Sequence, residues 1–92
     1  MIAVCYAVKN IFGRDTDLRV EADLNMDNLR VALKQLKKDK DCVIHVGRYT
    51  LFWHDFANEI VQVNTNISLH DVQKAQMSWT KARKFITDYV KD

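Results

Sequence analysis

Proline is absent from this chain of 92 residues, and glycine occurs only at positions 13 and 47. These two residue types supply most of the backbone settings that break or bend regular structure. A chain so poor in both has little scope for linkers or long loops. Its strands and helices must follow one another closely, as one domain spanning 1–92. A domain this short buries roughly 60–65% of the surface that its unfolded form exposes. The expected core is therefore thin, with helices packed on one sheet.

The apolar spacing says where the elements fall. "IAVCYAVKNIF" is a continuous apolar run, which suits a strand covered on both faces. Gly13 and "RDTD" make a turn, and "DLRVEADL" alternates apolar and polar positions as a half-buried strand does. The two segments predict a hairpin. Asn25 is placed to cap a helix whose apolar stripe is Met26, Leu29, Ala32, Leu33 and Leu36. "KDKD" ends that helix. "CVIHV" and "YTLFW" flank Gly47-Arg48, a pair suited to a type II′ hairpin turn. "HDFANE" reads as a looser turn and "IVQVN" as a further strand. Ser68 then has Asp71 three residues on, as in a capping box, and Ile67 and Val72 take the staple positions. A second helix is expected from there, its stripe running through Ala75, Trp79, Ala82, Ile86 and Val90. The order is ββαβββα: an α+β domain with two helices packed on a largely antiparallel sheet.

Several chemistries find no footing. Cys5 and Cys42 sit in apolar runs and read as reduced core residues. Cys42 and His45 have a metal-like spacing, but residues three apart in a strand face opposite ways. A second ligand pair is missing too, so no metal is expected. There is no Gly-x-Ser-x-Gly elbow, no phosphate-binding glycine loop and no motif for a cofactor. His54-Asp55 offers acid–base chemistry only if it is more than a polar turn with a capping Asp, and His70 reads as solvated. An enzyme is not expected. Met1 leads into seven apolar residues without a basic segment or cleavage site, too short to span a bilayer. A cytoplasmic protein without membrane contact is expected.

Charge is more informative. The formal net charge is only +2, yet residues 13–28 sum to −3 and residues 29–40 to +4. At about 100° per residue, Arg30, Lys34, Lys37 and Lys38 share an arc of roughly 100° beside the leucine stripe. Such an arc suits a phosphate backbone or an acidic protein patch. The plain alternative is a solvated helix whose cations complement its C-terminal dipole. On the second helix, Lys74, Lys81 and Lys84 fall opposite Trp79, with Met77 among them as an apolar interface anchor and Phe85 at the border. Tyr49, Phe52 and Trp53 are able to stack on bases, although alternation commits one face of that strand to the core. No RNP, KH, helix-turn-helix or C₂H₂ signature accompanies these faces.

A short chain with no catalytic constellation, no proline and charged faces on an α+β scaffold resembles the small phage-encoded anti-CRISPR proteins, in particular inhibitors of the type I-F crRNA-guided surveillance complex. The likeness covers the whole chain in format and rests on no shared motif, so no functional residue is carried over. It implies a non-enzymatic inhibitor in the host cytoplasm that binds Cas proteins with crRNA and blocks target DNA binding. Many such inhibitors are acidic DNA mimics. This chain is mildly basic, which favours guide RNA phosphates or acidic protein as the contact for Arg30, Lys34, Lys37 and Lys38 and for Lys74, Met77, Lys81 and Lys84. The alternative is a small nucleic-acid-binding or regulatory phage protein. Pairing through an exposed sheet edge leaves a homodimer open.

Overall fold

A computed structural model of the chain describes residues 3–8, 18–66 and 72–91. Among these residues six strands and two helices follow in sequence: β1 (Ala3–Val8), β2 (Leu18–Asp23), α1 (Met26–Lys38), β3 (Val43–Val46), β4 (Tyr49–Asp55), β5 (Ile60–Asn66), β6 (Val72–Ser78) and α2 (Trp79–Lys91). The strands form one sheet in the order β2-β1-β3-β4-β5-β6, every neighbouring pair antiparallel. Both helices lie on one face of it. This is the expected α+β architecture with helices packed on an antiparallel sheet.

Local chemistry sets the boundaries. The Asn25 side chain accepts the Asn28 N–H at 2.9 Å and so caps α1. Asn28 in turn donates through its side chain to the Asp23 carbonyl, at 2.8 Å, binding the helix start to the end of β2. Gly47 has φ 59°, and Arg48 does not share the positive sign, which is the pattern that a type II′ turn requires between Val46 and Tyr49. The β1–β2 pairing appears as expected, while its turn lies outside the described residues.

The core lies between the helices and the inner sheet face. Val4, Ile44, Val46, Leu51, Trp53, Val61 and Val63 meet Leu29, Ala32, Leu33 and Leu36 of α1 and Ala82 and Ile86 of α2, with Cys42 buried at its margin. No described element covers the opposite face, where Phe52, Gln62 and Asn64 stay half-buried and Val43 is exposed. β1 lies within the sheet, between β2 and β3. Its apolar run supplies this interior strand, and its Val4 joins the core.

The start of the second helix also needs correcting. The proposed cap at Ser68 with Asp71, and the flanking Ile67 and His70, lie outside the described residues. Residues 72–78, expected as the first helical turns, are β6. All seven of them pair with β5, from Asn66↔Val72 to Ile60↔Ser78. Gln, Lys, Ala and Met favour helix intrinsically. The pairing outweighs that preference because it satisfies a row of β5 backbone groups, and because alternation packs Met77 on the core while Lys74 and Gln76 stay exposed. The helix then begins at Trp79, where Ser78 Oγ accepts the Lys81 N–H at 3.3 Å. The ββαβββα order thus holds along the chain with a sixth strand inserted before the last helix.

Candidate functional site

Arg30, Leu33, Lys34 and Lys37 recur at three- and four-residue steps, so α1 presents them as neighbours on one face. Trp79 and Arg83 are four apart on α2 and stand beside each other likewise. The two helices pack together, and these six side chains line a groove of about 470 Å³. Four cations thus surround a floor made by a leucine and an indole. Among the described residues, no ion pair engages Arg30, Lys34 or Arg83, whereas Lys37 is paired with Glu59.

The floor is held rigidly. Trp79 stacks on Trp53 with ring centroids 5.5 Å apart and planes 26° apart. Trp53 is fixed in turn by its indole N–H, which donates to the Leu36 carbonyl at 2.7 Å. That carbonyl belongs to the last turn of α1, where backbone oxygens have no partner within the helix. Phe56 packs edge-on against Trp53 at 4.9 Å. Lys37 Nζ lies 5.4 Å from the Trp79 ring centroid and 5.7 Å from that of Trp53, within cation–π range of both.

Glu59 holds this corner together from the β4–β5 turn. Its carbonyl accepts the Trp79 N–H at 2.9 Å and its carboxylate takes Lys37. Among the described residues it is the non-glycine with a positive φ, 56°. That conformation disfavours a side chain bearing Cβ and persists only where the surroundings enforce it. Here the enforcement comes from both ends of the residue.

The basic residues expected from sequence separate into three places. Arg30, Lys34 and Lys37 enter the groove. Lys38 is exposed in the last turn of α1 and is not part of the lining, and Lys81 and Lys84 are exposed on α2 outside it. Lys74 and Met77 leave the helix face altogether, because they belong to β6. They come together with Phe85 instead, in a second hollow of about 460 Å³ that Tyr49 and Val63 also line. Tyr49 there meets Phe85 and Tyr89 edge-on, at 5.2 and 4.7 Å. Leu33, Trp79 and Arg83 are the groove residues that the sequence pattern did not nominate as a site, the first two falling on its apolar core stripes. The four-residue spacing of Trp79 and Arg83 carries the signal once the helix is known to start at Trp79.

His54 and Asp55 each engage a neighbour of their own. His54 is exposed with Nδ1 3.3 Å from the Gln76 amide nitrogen. Asp55 accepts from the Asn58 side-chain amide at 2.8 Å and from its backbone N–H at 3.2 Å, and these bonds hold its carboxyl below the ordinary value of 3.8. This is a turn cap. His45 Nδ1 lies 3.1 Å from Thr50 Oγ1 on the sheet face opposite the core. Among the described residues no helix is long and apolar enough to cross a membrane. No known protein family, characterised protein or solved structure matches the chain.

Proposed function

We propose that this chain is a non-enzymatic binding protein of phage origin that inhibits a crRNA-guided surveillance complex in the host cytoplasm. It acts by setting the α1–α2 groove against guide RNA phosphates or an acidic subunit surface, so that target DNA is shut out. The observation that carries this reading is the convergence of Arg30, Lys34, Lys37 and Arg83, from two helices, on one groove. A solvated amphipathic helix accounts for cations spread along its own length. It does not account for a second helix bringing Arg83 to the same place. Arg30 and Arg83 add planar donor forks, which match phosphate and carboxylate oxygens bidentately.

The test is co-purification with a type I-F complex, followed by a target-DNA binding assay. Co-elution with loss of DNA binding is expected. Arg30→Glu, Lys34→Glu and Arg83→Glu together should abolish both effects, whereas Lys81→Glu with Lys84→Glu should leave them nearly intact. DNA binding that is unchanged, with no co-elution, would sink the proposal. The half-buried Trp79 in the groove floor favours a second reading, a small binder of single-stranded nucleic acid, since an indole offers an unpaired base a stacking surface. Free RNA binding that falls log-linearly and steeply with salt is the mark of that reading.

A further inference from the structure

We infer that Glu59 is an internal counter-anion of the α1–α2 groove, a specificity-determining residue that occupies Lys37 until a polyanion displaces it. The inference rests on the reading of the groove as an anion site and adds how that site is set. Of the four groove cations, Lys37 is the one already neutralised, and the partner comes from the β4–β5 turn rather than from either helix. The carboxylate is not there by chance rotation of a free surface chain. Its residue is anchored through its carbonyl to Trp79, at the base of the same groove, and is kept at φ 56°. The pair itself is open to solvent, with 44% of the Lys37 side chain and 56% of the Glu59 side chain exposed. An exposed pair of this kind is weak enough to be exchanged for a stronger anion.

Two consequences follow for what the groove accepts. A lone anion gains contact with Arg30, Lys34 and Arg83 but has to compete with a tethered carboxylate for Lys37. A chain of phosphates meets the first three cations together and can take the fourth by exchange. Glu59 thereby favours extended polyanions over isolated ones. When exchange occurs, Lys37 keeps its place above the Trp53–Trp79 pair and turns its charge outward, with no rearrangement of either helix.

The experiment uses the full chain and a fluorescein-labelled single-stranded oligouridylate, with anisotropy titrations at salt concentrations between about 50 and 200 mM. Glu59→Gln keeps the side-chain length and amide-forming backbone but removes the charge. It should tighten binding about two- to fivefold, the range expected for freeing one exposed ion pair. The slope of log K against log salt should change by less than the roughly 0.7 of a whole phosphate contact, because Lys37 meets a phosphate in both proteins once exchange has occurred. Glu21→Gln, an exposed edge-strand residue far along the sheet order, changes net charge equally and should move neither quantity. In a Lys37→Gln background, Glu59→Gln should have no effect. Equal behaviour of Glu59→Gln and Glu21→Gln, or an effect that survives in the Lys37→Gln background, overturns the role of Glu59 and leaves the groove reading standing. Absence of RNA binding by both wild type and Glu59→Gln removes nucleic acid from the groove reading, and the role of Glu59 with it.

Discussion

Replacing Trp53 by Phe is the most searching perturbation of this structure, because one indole joins α1, β4 and α2. Three losses can be separated. The Leu36 carbonyl, on a residue with no exposed surface, loses its side-chain donor, the indole N–H at 2.7 Å. Leaving a buried acceptor unpaired costs about 1–3 kcal/mol. The Trp53–Trp79 stack at 5.5 Å shrinks to a smaller ring pair, forfeiting part of the ~0.5–1.5 kcal/mol that such contacts add. The missing pyrrole half of the ring leaves a gap beneath Lys37 that the packed core fills only in part. Together these amount to about 2–4 kcal/mol, which for a domain of this size lowers Tm by roughly 10–25 °C. Urea unfolding followed by circular dichroism measures the difference directly, and an unchanged m value would show that the two native states remain equally compact. The near-ultraviolet signal of the stacked indoles should vanish as well. A loss below about 1 kcal/mol would refute the reasoning, since it would mean that water satisfies the Leu36 carbonyl and that the stack does not hold the helices.

Other outcomes can be checked alongside it. Lys74→Thr should raise stability in urea by a few tenths of a kcal/mol, as a β-branched residue does in a strand, and a loss of the same size would place residues 72–78 in a helix. Glu59→Val should cost about 1–2 kcal/mol because a β-branched residue resists a positive φ, while Glu59→Gly should cost far less. Leu36→Ala, at a site without exposed surface, should cost about 2–5 kcal/mol by thermal or urea unfolding. The Asp55 carboxyl is held below 3.8 by Asn58, so what this cap contributes is fully present above the ordinary value and is lost as pH falls through the lower folded-state value; Asp55→Asn should flatten that acid-side loss when unfolding is followed from about pH 5 downward.

What the chain reveals by inspection is what its neighbours in sequence decide. Asn25 was readable as a cap because its partner is three residues away, and Gly47 as a turn because a two-residue hairpin demands a positive φ there. The arc of Arg30, Lys34 and Lys37 needed only helical geometry. Residues 72–78 look helical in sequence because Val72 and Ala75 continue, backward and at helical spacing, a true stripe of Trp79, Ala82 and Ile86. Nothing local distinguishes Gln, Lys and Met in a strand from the same residues in a helix. Pairing with β5 decides it, and pairing is not local. Arg83 reaches the groove for the same kind of reason, through the packing of α2 on α1, and Glu59 reaches Lys37 across 22 positions of sequence.

The sheet order carries a consequence for how the molecule holds together. From β3 onward each strand pairs with the next in sequence, so residues 43–91 form one continuous meander ending in α2, and β1, β2 and α1 form a second unit. Among the described residues the two halves meet along a seam of three paired positions, Val4↔Val46, Cys5↔His45 and Tyr6↔Ile44, where α1 packs on the inner sheet face and on α2, and through the Trp53–Leu36 and Lys37–Glu59 contacts. Arg30, Lys34 and Lys37 stand on one side of that seam, and Trp79 and Arg83 on the other. An anion held in the groove therefore clasps the halves, adding RT ln(1 + [L]/Kd) to their cohesion. Separate fragments 1–42 and 43–92 should reassociate more tightly in the presence of such a ligand, and each alone should have no groove to offer it.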